Sequence, residues 1–259
     1  MSADPILVIV NFSLVLARLA GIMILTPMYS SPNLPESVKP WMVFPIALIV
    51  FMVLPVNTWV TDTSELYLLK MTFFEFIVGV LMGFCLAFVI EVLNFAGNIV
   101  STPMGLSIAQ AIDPASEETS TTLGQFNTML ASLLFFALNL HHTVLEAYMS
   151  SYRALPLGAA LLPGEAGITW FTQKFYELFL VSLQISIPML TVLILINFAL
   201  GVLTRTLPKL NIFMIGIPLQ IVVGMVTYTI TLSFLSLAIQ RLFHKGFSDI
   251  EPVLRLFLP

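Results

Sequence analysis

Residues 175–203 read FYELFLVSLQISIPMLTVLILINFALGVL, and residues 212–243 read IFMIGIPLQIVVGMVTYTITLSFLSLAIQRLF. Glu177 and Arg241 are the only Asp, Glu, Lys or Arg residues in these two runs. A helix crosses a hydrocarbon core of about 30 Å in about 20 residues, so each run suffices for a span. The residues between them, Thr204–Asn211, include Arg205, Pro208 and Lys209, which predicts a tight basic turn and a helical hairpin.

Outward from the hairpin, four more apolar stretches occur at Ile6–Met28, Trp41–Val60, Met71–Val100 and Leu123–Met149. None has the in–out alternation of a barrel strand, and backbone polar groups must be paired inside lipid. The chain is therefore read as an all-α integral membrane protein of about six long apolar helices. Stretches near 30 residues must tilt, kink or protrude. Pro45, Pro188 and Pro218 lie within apolar stretches and predict bends. The N-terminus lacks a basic segment ahead of its apolar run, so it is read as a retained first helix, not a signal peptide.

Composition narrows the function. AVILMFWYC residues make up 58% of the 259, charged residues only 9%, and mean hydropathy is +1.00. A soluble domain carries about 25% charged residues. These values exclude a soluble enzyme, a disordered chain and a nucleic-acid binder; the formal charge is -4 and no basic block exists to hold phosphates. Cys85 is the sole cysteine, which excludes an internal disulfide and a Cys-built metal site. His142 and Glu146 share a helix face beside His141, but the only other histidine is His244, so no metal or other cofactor is expected. No catalytic or nucleotide motif occurs, and the chain is not read as an enzyme.

Polar residues inside the apolar stretches fall in rows. Gln125, Ser132, Asn139 and Glu146 are spaced by seven, with Thr128 and His142 on the same face. Glu177, Gln184 and Thr191 repeat the pattern, Gln220, Thr227 and Arg241 keep the same register, and Glu91, Asn98 and Thr102 line up on one face. Seven residues advance a helix by about 700°, so each row is a slowly drifting stripe. Such stripes avoid lipid: they bond neighbouring helices, form subunit seams or line a wet channel. Arg18, within the first stretch, needs a partner, and Glu75 and Glu91 are the candidates; a structural ion pair and an ion or proton site are the two readings. Gly79 and Gly83 form a G-x-x-x-G pattern that permits close helix approach.

The connection at about 103–122 holds Ser107, Ile108, Ala109, Gln110, Ala111, Ile112, Asp113 and Pro114. Its apolar residues favour a re-entrant, buried loop over an exposed one. Elsewhere, Lys70, Arg153, Lys174, Arg241, Lys245 and Arg255 fall on one side of a six-span topology and Lys39, Arg205 and Lys209 on the other, which favours cytoplasmic termini.

Several markers together resemble the FliR family of flagellar export-gate subunits. They are Arg18, Pro27, Pro35 and Lys39; Phe74-Glu75 with Gly79 and Gly83; Asp113-Pro114; Ser151-Tyr152 leading to Pro156-Leu157-Gly158; and above all Gly201 to Phe213, with Arg205, Pro208 and Asn211, continuing to Gly216 and Pro218. A virulence-type secretion system has a homologous subunit; the Gly-x-Pro after Asn-Ile-Phe favours the flagellar branch.

The resemblance implies a FliP-like part, residues 1–174, followed by a FliQ-like hairpin and tail, residues 175–259. It implies FliP-like and FliQ-like partners around a gated export pore, with FlhB-like and FlhA-like components nearby. Unfolded flagellar proteins pass through that pore. The site is the bacterial inner membrane within the basal body, largely above the membrane plane, which weakens the topology inferred from charge. The 107–114 loop then corresponds to the plug, and Gln125, Ser132, Asn139, Glu146, Glu177, Gln184 and Gln220 to subunit seams. The alternative from another class is a stand-alone secondary transporter with Arg18, Glu75 and Glu91 as a charge relay.

Overall fold

The computed structural model describes residues 5–26, 29, 35–54, 60, 64–106, 121–206 and 212–258, excepting the side chains of 212 and 213. The helices are α1 (Pro5–Leu25), α2 (Lys39–Val53), α3 (Glu65–Ser101), α4 (Thr122–Ala137), α5 (Leu140–Ala154), α6 (Glu165–Thr206), α7 (Ile212–Ser248) and α8 (Ile250–Arg255). Among the described residues four helices are long and apolar enough to cross a membrane, or up to five if α4 and α5 form one bent span.

Element ends follow local chemistry. Helix α3 stops two residues before Pro103, and Gly105 just beyond has φ 84°. Helix α6 starts straight after Pro163-Gly164, with Glu165 in its first turn, where a carboxylate suits the helix dipole. The apolar stretches end at Met149 and resume at Phe175, whereas α5 extends to Ala154 and α6 starts about three turns earlier, at Glu165. Pro45, Pro188 and Pro218 lie inside α2, α6 and α7, which continue through them.

The fourth stretch departs most from expectation. It is not one rod: it breaks at Leu138 and turns through 73° between α4 and α5. Asn139 adopts φ 54°, the left-handed region that asparagine tolerates better than most residues. Gln125 and Ser132 therefore do not share one continuous face with Glu146.

The chain forms two compact units that interleave along the sequence. One comprises Met1–Val89, Phe135–Thr172 and Phe243–Pro259; the other comprises Ile90–Leu134 and Gln173–Leu242. In the first unit the buried row on α1 is Val10, Asn11, Leu14, Val15, Arg18, Leu19 and Ile22, one helical face. It packs on α3 where Gly79 and Gly83 remove side chains: a Cβ on Gly79 would lie 2.0 Å from the Arg18 carbonyl oxygen, and one on Gly83 2.6 Å from that of Ile22. Helix α8 belongs to this unit; Val253, Leu254 and Phe257 are buried, and Leu161 N–H donates to the Phe257 carbonyl at 2.9 Å. In the second unit α3, α4, α6 and α7 surround Val92, Leu93, Ala131, Leu193 and Tyr228.

Candidate functional site

Arg18 anchors a fully buried polar cluster in the first unit. Its Nε donates to Glu75 Oε2 at 2.6 Å, one terminal nitrogen to Ser151 Oγ at 3.0 Å and the other to the Leu155 carbonyl at 3.1 Å. Both charged side chains have zero exposure. The second carboxylate oxygen, Glu75 Oε1, accepts the Gly158 N–H at 3.0 Å. Gly158 has φ 73°, and a Cβ there would meet Val60 at 2.7 Å, so this turn needs glycine. The guanidinium also lies 4.3 Å from the Tyr152 ring centroid. Tyr152 donates to the Tyr148 hydroxyl, which donates to the Val15 carbonyl, each at 2.7 Å.

This geometry selects between the readings of Arg18. Its carboxylate is Glu75, whereas Glu91 is exposed. A buried ion pair is tolerable only when its remaining hydrogen-bonding positions are filled, and here backbone and hydroxyl groups fill them. The cluster brings Arg18 and Glu75 together with Ser151, Tyr152 and Gly158. These residues join α1, α3, α5 and the turn after α5.

The second unit is bonded mainly through residues outside the stripes, with Asn98 and Gln220 the stripe residues that take part. Ser182 and Ser186 of α6 donate to the Val92 and Ala96 carbonyls of α3, at 2.8 and 3.1 Å. Asn127 of α4 donates to the Leu93 carbonyl at 3.0 Å and accepts from the Tyr228 hydroxyl of α7 at 2.6 Å. Asn98 Oδ1 accepts the Thr121 N–H and hydroxyl, at 3.0 and 2.7 Å. Sequence reading missed Ser182, Ser186 and Asn127. The available signal was their spacing: Ser182 and Ser186 are four apart on α6, matching Val92 and Ala96 four apart on α3. Small hydroxyls inside an apolar run mark helix contact better than large polar residues do.

Replacing both serines by alanine is expected to lower stability by about 0.6 kcal/mol per site, the average for interhelical bonds in a bilayer. Asn127→Leu should cost more, about 1–3 kcal/mol, because it strands the buried Tyr228 hydroxyl. Thermal midpoints of the detergent-solubilised protein check the order.

The stripe residues lie mostly outside these contacts. Gln125, Asn139, Glu146 and Gln184 are exposed, and Ser132 is half-buried and bonded to its own helix at Thr128. Glu177 pairs with Lys174 at 2.9 Å, and Gln220 donates to Asn197 between α7 and α6. Gln184 and Arg241 border an apolar groove of about 550 Å³ in the second unit, beside Asn127 and Tyr228. His141 and His142 stack at the break, ring centroids 4.3 Å apart, and His141 Nδ1 is buried without a hydrogen-bond partner. Among the described residues no three of His, Cys, Asp and Glu converge on a common point. Arg205 ends α6 and is exposed; Gly216 is buried and Pro218 exposed on α7. Ser107, Ile108, Ala109, Gln110, Ala111, Ile112, Asp113 and Pro114, and also Pro208 and Asn211, lie outside the described residues.

Comparison with known proteins adds the family. The profile described as "Bacterial export proteins, family 1" matches residues 9–246. The chain is 28% identical to the flagellar biosynthetic protein FliR of Bacillus subtilis, over 95% of both chains. It is 28% identical to FliR of Escherichia coli over 92% of this chain and 90% of that one. For FliR of Aquifex aeolicus the identity is 24%, over 93% and 92%.

Proposed function

This chain belongs to family 1 of the bacterial export proteins and is a non-enzymatic membrane component of the flagellar type III export apparatus, and from that premise we propose that it forms part of the wall of a gated pore for unfolded flagellar proteins. FliP-like and FliQ-like subunits complete the pore, FlhB-like and FlhA-like components adjoin it, and the assembly sits in the inner membrane within the basal body.

The observation that carries this reading is the incomplete cover of the hairpin. Over its most apolar 18 residues α6 has only 22% buried, and residues 214–255 likewise only 17%, against 61% in α3. Gln184 lies exposed among Phe179, Leu183 and Ile187, which are exposed too. A lipid-facing surface has no use for that glutamine, whereas a subunit seam bonds it. The stripe residues Gln125, Asn139, Glu146 and Gln184 are assigned to such seams. Residues 1–174 and 175–259 are the FliP-like and FliQ-like parts.

A tag on this chain, pulled down from native membrane, should bring a large particle containing one copy of the chain and a small two-helix subunit, read by intact mass. A monomer or homodimer would remove the reading. Residues 107–115 are proposed as the plug. Their deletion should raise ion leak across membranes holding the assembled complex, and an unchanged leak sinks that assignment. The transporter alternative needs a carboxylate that water reaches in a relay with Arg18. Glu75 is fully buried with both oxygens occupied, which favours the pore.

A further inference from the structure

We propose that the cleft between α1 and α2 holds an anionic phospholipid, its phosphate at the start of α2 and one acyl chain along α1. The cleft measures about 980 Å³. Its floor is one face of α1, with Leu16, Ala20 and Ile24 four residues apart. The eight steps from Leu16 to Ile24 span about 12 Å, roughly half the length of a common acyl chain. Phe44 of α2 closes the far wall. All of these residues lie in the first compact unit.

The polar end of the cleft is built differently. Lys39 stands at the first position of α2, next to Pro40 and the 78% exposed Trp41. Among the described residues no side chain caps this helix start, and its first turn carries no acidic residue. A helix N-terminus and an ammonium together favour an anion. Tryptophan and lysine at one end of an apolar cleft are the pair that marks a membrane interface.

Tyr29 supplies the independent observation. It lines the same cleft, is only 3% exposed, and its hydroxyl has no hydrogen-bond partner among the described residues. A buried hydroxyl is expected to be paired, and a phosphate oxygen beside Lys39 offers it an acceptor. Burial also raises the Tyr29 phenol above its usual pKa, so it stays a donor. Lys39 does pair with Glu36, which also lines the cleft, but that carboxylate side chain is 86% exposed, and such pairs are weak competitors for an anion.

The test uses the assembled export complex in nanodiscs containing phosphatidylglycerol with a photoactivatable acyl chain. Label should concentrate on α1 and α2 peptides. Lys39→Gln should reduce it about tenfold, and Tyr29→Phe about threefold, as expected for losing a charged and a neutral hydrogen bond. Glu36→Gln should raise it about threefold by releasing Lys39. Ala20→Trp should abolish it by filling the cleft. Tyr29→Phe keeps the ring and removes only an unpaired hydroxyl, so it decides the matter even if Ala20→Trp does not assemble. Equal labelling of α6, no response to Tyr29→Phe and Glu36→Gln, or equal labelling by phosphatidylcholine overturns the proposal. Displacement of the label by inorganic phosphate also overturns it, since the cleft would then be a free-anion site.

Discussion

Arg18→Met is expected to destabilise the subunit by about 3–5 kcal/mol, the cost of leaving one partner of a buried pair uncompensated. A stability margin of 5–15 kcal/mol is typical of folded proteins, so much of the chain should be lost from the membrane. Glu75 has zero exposure and nowhere to find water. Ser151 and the Leu155 carbonyl lose their donor in the same step. Arg18→Lys should be milder but not neutral, because an ammonium cannot reproduce the planar fork that reaches Glu75, Ser151 and Leu155 at once. Arg18→Met combined with Glu75→Leu should cost less than the sum of the two single changes, since the lone charge disappears. The check is the thermal midpoint of the tagged protein in detergent, with swimming motility alongside. A wild-type midpoint for Arg18→Met would show that the pair holds nothing together.

Gly79→Ala should be nearly as damaging although it adds a single methyl group. The new Cβ would stand 2.0 Å from the carbonyl oxygen of Arg18, a backbone atom that cannot rotate away. Helix α1 must shift, and overpacking of this kind costs about 1–3 kcal/mol, occasionally more. Because the clash falls on Arg18 itself, the shift also pulls the guanidinium from Glu75, so the loss should lie at the upper end. Gly201→Ala is the control. A Cβ there meets nothing within 4 Å. It lies in a helix interior, where alanine is favoured over glycine by about 1 kcal/mol, so the isolated chain should be unharmed or slightly stabilised. If Gly201→Ala keeps the midpoint but impairs assembly, the methyl group has met a partner subunit.

The apolar helices were legible because their signal is additive over many residues. Each of the six stretches overlaps at least one helix, and the run around Gly201 to Pro218 carried the family resemblance that the profile match over residues 9–246 then bore out. The break at Leu138-Asn139 was not legible. It has no proline or glycine, and Asn139 fell neatly into a seven-residue row that a straight helix would have displayed. A single residue in the left-handed region cancels that row, and periodicity cannot register it. The bonding residues of the second unit were hidden for another reason. Ser182 and Ser186 look like ordinary small residues, and only the facing carbonyls of Val92 and Ala96 give them a task. Arg18 was visible as an anomaly, but the choice between Glu75 and Glu91 depended on which face of α3 meets α1. That face is set by Gly79 and Gly83, whose pattern is common by chance. The pattern identified a contact without naming its partner.

The Arg18 cluster also imposes an order of events during synthesis. Arg18 precedes Glu75 by 57 residues and Ser151 by 133. At about 5–20 residues per second, the ribosome delivers Ser151 roughly 7–27 s after Arg18. Until Glu75 arrives, roughly 3–11 s after Arg18, α1 carries an unmatched cation, which costs about 2.5–3.5 kcal/mol at the centre of a membrane-inserted helix. The first helix is thus a provisional occupant of the bilayer. It becomes permanent only when segments made much later arrive to clasp it, and its insertion is completed after translation of α5 rather than as α1 leaves the ribosome.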